Sequence, residues 1–191
     1  MNTIYMIRHG ETDANKNFIV QGRMDNPLNQ NGIEQAKKTG NYLKSHHEHF
    51  DLIVSSPLKR ANDTAKIICG ILGDQKTILT HSGFIERNFG DFDGKRIDAE
   101  YSSKVINDEI PNMEINAELE KRVFGALDEL CMRYPNKKIL IIAHSHVIKA
   151  LLVSLVEEFN YTSFLSNCSI NIIKRKYGKY SVKNYNINPL E

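Results

Sequence analysis

Two histidines in this sequence directly follow short apolar runs, which are typical of buried strands. His9 comes after Ile4–Ile7 with Arg8 beside it, and His144 comes after Ile139–Ala143. A neutral imidazole is a good nucleophile toward phosphorus when one ring nitrogen is free and the other donates a fixed hydrogen bond. We therefore expect strand ends to present imidazoles, one of which can attack a phosphate.

Two arginines stand where they can serve the same chemistry. Arg8 precedes His9, and Arg60 lies a few residues after the apolar run Leu52–Val54. A guanidinium can donate two parallel hydrogen bonds to a phosphate, a geometry that lysine cannot reproduce. A nearby cation also disfavours protonation of an imidazole. The pair is thus expected to bind phosphate and to keep His9 unprotonated.

The elements that position these residues alternate along the chain between short apolar runs and longer segments of helical periodicity. This order predicts a three-layer α/β/α sandwich with a mostly parallel central sheet and one antiparallel edge element. The predicted strands are Ile4–Ile7, Leu52–Val54, Thr77–Thr80, Ile139–Ala143, Ser169–Lys174 and Tyr180–Tyr185.

Several local signals set the expected starts of the helices. Asn29 or Asn31 can cap the helix that contains Ala36. Ser56-Pro57 marks the start of the helix after the second strand, because proline suits the first helical turn. A further apolar helix is expected from Val147 to about Val156.

The histidines and arginines are expected to meet in one place. In open parallel sheets, ligands bind in the crevice beyond the carboxyl ends of the strands. Three predicted strands run into Arg8-His9, into the segment that leads to Arg60, and into His144. Packing alone does not explain such a convergence, so we predict a common anion pocket.

Composition narrows the class of protein. The chain has 191 residues, a net charge of +2 and 41% hydrophobic residues, which suits one globular domain. The small net charge gives no argument for nucleic acid or a membrane surface as a partner. The three cysteines are odd in number and widely spaced, so reduced thiols and a cytoplasmic location are expected.

The residues above belong to a longer ordered series that spans nearly the whole chain. The series resembles the histidine phosphatase superfamily, the phosphoglycerate mutase-like group with its Arg-His-Gly-Glu-Thr signature. It comprises Arg8-His9-Gly10-Glu11-Thr12, Asn15, Gln21-Gly22, Pro27-Leu28-Asn29, Ser55-Ser56-Pro57-Leu58-Lys59-Arg60, Glu86, Phe89-Gly90, His144 and Asn167-Cys168-Ser169-Ile170.

The resemblance implies a role for each matching residue. His9 would be the nucleophile that becomes phosphorylated, in a pocket formed by Arg8, Arg60 and His144. Glu86 would protonate the leaving oxygen and later act as base on water. To act as the acid, Glu86 must be protonated, so burial should raise its pKa.

The resemblance also implies contacts to the phosphate or substrate by Asn15, Gln21, Gly22 and Ser145. Ser145 stands where relatives often have glycine, and we expect it to cap the following helix. No metal and no cofactor is required by this scheme. The implied partner is a small phosphorylated metabolite. Separately, the hairpin edge or an apolar helix face could pair two chains as a homodimer.

We expect one domain over residues 1–191, with a lid-like insertion at about residues 87–117. Many relatives have a Pro-x-Gly-Glu-Ser pattern within that insertion, where this chain has Met113 and Ile115 in place of the glycine and serine. An apolar pair at these positions could accept a less polar leaving group, but packing of both residues against the next helix is the favoured expectation. Because lids vary most among relatives, the sequence does not name the substrate.

A metal site is the first alternative use of the histidines. His9, His144 and His146 could together ligate zinc, but Arg8 and Arg60 would repel a dication. We therefore predict no metal.

Two further functions remain open beside a phosphatase. A 2,3-bisphosphoglycerate-dependent phosphoglycerate mutase would use the same histidine, arginines and glutamate. Glu86-Arg87 is somewhat similar to mutases, but only Lys95 and Arg96 follow as basic residues, which favours a phosphatase. A catalytically silent module that binds phosphorylated ligands is disfavoured, because the chemically necessary groups are all present.

Overall fold

The computed structural model describes residues 1–74 and 76–190. Within them, no helix is both long enough and apolar enough to cross a bilayer. The strands are β1 (Asn2–Arg8), β2 (Leu52–Ser55), β3 (Leu79–Thr80), β4 (Lys138–Ala143), β5 (Ile170–Lys176) and β6 (Lys179–Ile187). The helices are α1 (Asp13–Lys16), α2 (Gln30–Ser45), α3 (Lys59–Leu72), α4 (Tyr101–Ile106), α5 (Asn116–Arg133) and α6 (Ser145–Leu155).

These strands form a single sheet in the order β3-β2-β4-β1-β5-β6. The pairs β3–β2, β2–β4 and β4–β1 are parallel, whereas β5 pairs antiparallel with both β1 and β6. The predicted mostly parallel sheet is confirmed. The antiparallel strand is β5, one position in from the edge, and the β5–β6 hairpin forms that edge.

Side chains alternate between the two faces of the sheet, as the period of two in a strand requires. In β1, Ile4 and Met6 belong to the core cluster that includes the buried residues of α5 and α6. Tyr5 and Ile7 belong to the cluster that includes α2 and α3 residues. The alternation buries both faces and produces the predicted three layers.

The local sequence signals for helix starts and strand bounds were only partly correct. Asn29 caps α2 and its side chain accepts from the Gly32 N–H, as predicted. Pro57 lies before α3, whose N-cap is Leu58, so the proline ends the preceding loop and does not occupy the first helical turn. Strand β3 is shorter than the predicted Thr77–Thr80, because only its last two residues pair with β2.

The segment 87–117 contains a 3₁₀ turn, α4 and the first two residues of α5, and it is held together by Arg87. The Arg87 side chain is fully buried. It donates to the Glu114 carbonyl at 2.7 Å, to Asn116 Oδ1 at 2.9 Å and to Asp108 Oδ1 at 3.0 Å. Because these contacts join both halves of the segment, Arg87 fixes its shape.

Candidate active site

The sheet brings the two strand-end histidines together. Strands β1 and β4 are adjacent and in register, with Arg8 opposite Ala143. His9 and His144 therefore leave the sheet side by side, and their ring centroids lie 5.1 Å apart. The two imidazoles lie together as predicted; His9 lines the cavity described below, and His144 is completely buried beside it.

The His9 ring is held in one tautomer. Its Nδ1 lies 2.7 Å from the Gly10 carbonyl oxygen, and Arg60 Nε donates to its Nε2 at 3.2 Å. Because a guanidinium only donates, Nε2 must be the acceptor and Nδ1 carries the proton. Burial, and then the charges of Arg60 and Arg8, hold the pKa of His9 well below its usual value. The ring is thus neutral, with its lone pair on Nε2.

The turn after β1 depends on the absence of a side chain at Gly10. A Cβ there would lie 2.4 Å from the carbonyl oxygen of Gly32, at the start of α2. The Gly10 N–H donates to Thr64 Oγ1 at 3.1 Å, which ties the turn to α3. This packing aims the Gly10 carbonyl at the His9 ring.

Arg60 is fixed at both ends of its guanidinium. Its Nη1 donates to the Met24 carbonyl at 2.6 Å and its Nη2 to the Gly22 carbonyl at 2.8 Å. Gly22 has φ +47°, and a Cβ there would collide with the Asp93 carboxylate, so glycine is required. Arg60 is 1% exposed and presents Nε toward His9. The predicted proximity of Arg60 to the nucleophile is confirmed.

Arg8 and His144 each keep a buried nitrogen that has no partner among the described residues. Arg8 Nη1 donates to the Leu165 carbonyl, whereas its Nε is buried and unbonded. His144 Nε2 lies 2.7 Å from Ser56 Oγ, whereas its Nδ1 is unbonded. Burial lowers the pKa of Arg8 to about 10. A buried donor without an acceptor costs roughly 1–3 kcal/mol, and a bound anion would remove that cost at Arg8.

Ser145 does not cap α6, contrary to our expectation. The N-cap is His144, which makes no side-chain capping bond, and Ser145 is already the first helical residue. One residue further on, the serine hydroxyl cannot serve the position that a cap occupies. Ser145 instead lines the cavity.

Glu86 is buried and lies against the same cavity. It accepts hydrogen bonds from the backbone N–H of Arg87 and from that of His146. Burial nevertheless raises its pKa above the usual value, with these bonds and the charge of Arg60 acting in the opposite direction. The predicted direction for an acid catalyst is confirmed.

The cavity has a volume of about 160 Å³ and is enclosed mainly by predicted site residues. His144 is completely buried, and its ring lies beside that of His9. Phe89, Ile97 and Tyr101 close the cavity from the segment 87–117. The predicted residues that line it are Arg8, His9, Asn15, Gln21, Gly22, Arg60, Glu86 and Ser145.

Two basic residues that line the cavity, His146 and Lys149, were missing from the predicted site. His146 packs edge-on against Phe89 and stacks on Tyr161. Lys149 lies one turn further along α6, is 8% exposed, and donates to the Tyr161 carbonyl at 2.6 Å. The signal that could have revealed Lys149 is a single charge within an otherwise apolar helix.

Met113 and Ile115 do not line the cavity. Met113 is buried in the core cluster that contains residues of α5, as expected. Ile115 is 42% exposed and is the N-cap of α5, so its predicted packing against that helix is only partial.

No cluster of three or more histidine, cysteine or acidic side chains suited to a metal ion occurs in residues 1–74 and 76–190. Within the same residues, Arg8, Arg60 and Lys149 have no carboxylate within 4.0 Å of their nitrogens. Three cations, of which Arg60 and Lys149 are buried and Arg8 is half-buried, therefore line one small cavity, and none of them has a carboxylate at ion-pair distance. Such a site is suited to an anion.

Comparisons with known proteins agree with this chemistry. The profile of the histidine phosphatase superfamily (branch 1) matches residues 4–188. The Bacillus subtilis protein named Uncharacterized phosphatase PhoE is 40% identical, over 98% of this chain and 96% of its own.

Solved structures give the same result. A phosphoserine phosphatase mutant (H9A) from Entamoeba histolytica, in complex with phosphoserine, superposes with a TM-score of 0.85 and is 28% identical, covering all of both chains. Phosphoserine phosphatase from the same organism, in complex with 3-phosphoglyceric acid, has a TM-score of 0.81 and 30% identity over 97% of each chain.

Proposed function

The chain belongs to the histidine phosphatase superfamily and is a phosphatase, and we propose that His9 is its nucleophile. We further propose that Arg8, Arg60 and His144 bind the transferring phosphoryl group and that Glu86 is the acid and base. The observation that carries this proposal is the fixed tautomer of His9, whose Nε2 carries the lone pair and faces the buried guanidinium of Arg60.

In the first step, His9 Nε2 attacks phosphorus and the ester P–O bond breaks. Glu86 gives its proton to the leaving oxygen, so that an alcohol departs and Glu86 becomes a carboxylate. Arg60 transfers its Nε hydrogen bond from His9 to a phosphate oxygen, while Arg8 Nε donates to another. The cationic pocket stabilises the charge that spreads over the phosphoryl oxygens in the transition state.

In the second step, water attacks the phosphohistidine and the N–P bond breaks. The Glu86 carboxylate takes a proton from the water, which restores the acid for the next turnover. The electron pair of the broken bond returns to His9 Nε2. The Gly10 carbonyl keeps its hydrogen bond to Nδ1–H throughout, so the ring does not change tautomer.

We propose a small phosphorylated metabolite as the substrate. The cavity of about 160 Å³ lies well below the ~300–1,000 Å³ typical of sites for larger ligands. The segment 87–117, as a lid, would enclose such a molecule through Phe89, Ile97 and Tyr101. The predicted cytoplasmic location and homodimer stay predictions.

A mutase activity is the second candidate, and the position of Arg87 speaks against it. The Arg87 guanidinium is used to fasten the segment 87–117 and is fully buried. It is thus not free to retain a dephosphorylated acid in the cavity. Isomerisation of 3-phosphoglycerate without release of inorganic phosphate would favour the mutase.

The proposal is tested by removing the imidazole and by trapping the intermediate. We expect His9→Ala to lower kcat/KM for p-nitrophenyl phosphate by about 10⁴-fold or more, because the nucleophile is lost. Quenching with alkaline detergent during turnover should trap a phosphate that is stable to base and labile to acid on the wild-type chain but not on His9→Ala. Undiminished phosphate release by His9→Ala would refute the mechanism, whereas inactivity of both proteins would indicate a binding module.

A further inference from the structure

One buried cation of the cavity takes no part in the reaction proposed above. The Lys149 side chain lines the cavity, and its ammonium donates to the Tyr161 carbonyl. An ammonium has three N–H donors. A ligand in the cavity can therefore accept a hydrogen bond from Lys149 while the contact to Tyr161 remains.

The charges in the cavity leave Lys149 without a balancing anion. Arg8 and Arg60 together carry two positive charges, which the two negative charges of a phosphate monoester would balance. Glu86 must be protonated for the first step and contributes no charge at that point. Lys149 then remains as one unbalanced positive charge in a buried position, which is costly.

The surroundings of Lys149 are compatible with a second anion. Arg8 and Glu86 are the charged groups that act on it across the cavity, and burial together with Arg8 lowers the pKa of Lys149 to about 8. The ammonium form therefore predominates at neutral pH. On the same helix, the buried His146 Nδ1 has no partner among the described residues. This part of α6 thus holds two polar groups that the chain itself does not fully satisfy.

We propose that Lys149 is a specificity-determining residue that binds a carboxylate of the substrate, so that the enzyme prefers phosphorylated carboxylic acids. A carboxylate is favoured over a second phosphate, because one ammonium balances one negative charge and the cavity is small. The inference rests on the proposed function, since it presumes that the phosphate lies between Arg8 and Arg60.

The test uses two esters that differ only at the group in question. In 3-phosphoglycerate a carboxylate stands where glycerol 3-phosphate has a hydroxymethyl group. We expect the wild-type kcat/KM to favour 3-phosphoglycerate by about tenfold or more, as one charge-assisted hydrogen bond allows. Lys149→Met should bring the ratio of the two kcat/KM values close to one, mainly through KM for 3-phosphoglycerate.

Three further variants control for an effect on the fold. Lys149→Gln removes the charge but keeps polar atoms, and it should lower the ratio as Lys149→Met does. Lys149→Arg restores the charge and should keep the ratio within about threefold of the wild type. Lys66→Met removes an exposed lysine of α3 and should leave the ratio unchanged.

The outcomes separate the two proposals. A ratio near one in the wild type, or the same ratio in Lys149→Met as in the wild type, would overturn the role of Lys149 and leave the phosphatase mechanism intact. Absence of phosphate release from both esters and from p-nitrophenyl phosphate would instead overturn the proposed function.

Discussion

The two sides of the cavity are built in different ways. The phosphate side consists of His9 and Arg60, which rest on the ends of β1 and α3 and are fixed by main-chain carbonyls. The opposite side consists of α6 and the segment 87–117, which contribute Lys149 and several apolar or aromatic side chains. In the proposed mechanism, backbone geometry thus holds the residues that act on the phosphate, whereas side chains of α6 and the segment 87–117 set the substrate preference.

The proposed difference between the two sides is tested most directly by replacing the cation on each side, which is Arg60 on the phosphate side and Lys149 on the opposite side. Arg60→Lys should lower kcat/KM roughly a hundredfold for any phosphate ester, because the charge-assisted hydrogen bond of ~1.5–3 kcal/mol that Nε gives to the phosphate in the proposed mechanism is lost. Lysine also cannot reach the Gly22 and Met24 carbonyls together with the phosphate. Steady-state phosphate release measures the effect.

The matched exchange on the other side is Lys149→Arg, for which we expect less than a threefold change in kcat/KM. Thermal unfolding of both variants shows whether the fold is retained. If Arg60→Lys were as active as Lys149→Arg, the two sides would not differ in the way described.

Glu86 belongs to both sides, since its carboxyl is part of the chemistry but its backbone enters the segment 87–117. Glu86→Gln should lower kcat/KM for glycerol 3-phosphate about a hundredfold, because an alkoxide needs a proton to leave. For p-nitrophenyl phosphate the loss should be below about tenfold, because nitrophenolate leaves unprotonated. Equal losses on both esters would show that Glu86 is not the acid.

The pH dependence gives a second check on Glu86. Burial raises the pKa of this carboxyl, so the proton is present below that pKa and lost above it. The advantage of the wild type over Glu86→Gln on glycerol 3-phosphate should therefore decline as the pH rises through a value above that of an ordinary carboxyl. Taking the ratio of the two enzymes removes the ionisation of the substrate itself.

Much of the phosphate side could be predicted from sequence, because its requirements are local. Strand runs that end in His9 and His144, and a glycine after the first of them, specify the turn and the neighbours of each ring. The parallel order of β1 and β4 then needs only the general rule for such sheets. The sequence does not show why glycine is needed at position 10. The reason is the close approach of Gly32, which lies more than twenty residues away along the chain.

The side of the cavity formed by α6 and the segment 87–117, here called the lid side, could not be predicted well from the sequence. Its contacts join residues that are far apart in the chain and lie in irregular segments. In the sequence, Glu86-Arg87 is somewhat similar to mutases, but the Arg87 guanidinium donates to Asp108, Glu114 and Asn116. Lys149 looked like part of an apolar helix, and only the path of the chain at Tyr161 shows that it is buried beside the cavity. Hydrophobic periodicity predicts which face of a helix is buried, but it does not predict which residues of other segments pack against that face.

A smaller effect is expected from the titration of Lys149 on the lid side. Burial and Arg8 lower the pKa of Lys149 to about 8, so its charge is present below that pH and lost above it. We expect the preference for 3-phosphoglycerate over glycerol 3-phosphate to be constant below about pH 8 and to fall by up to tenfold above it. The same ratio in Lys149→Arg should stay constant, because arginine keeps its charge.

The smallest expected effect concerns Ile115, which lies in the segment 87–117 but outside the cavity. As the N-cap of α5 it offers no side-chain acceptor to the first N–H groups of that helix. Ile115→Ser should therefore be more stable than Ile115→Ala by about 1 kcal/mol, since both remove the same partly exposed apolar side chain and only serine restores a capping oxygen. Urea unfolding measures the difference, and kcat/KM of both variants should stay within about twofold of the wild type. A large loss of activity in both variants would mean that the start of α5 takes part in shaping the cavity. The lid side would then be less tolerant of substitution than the comparison with the phosphate side implies.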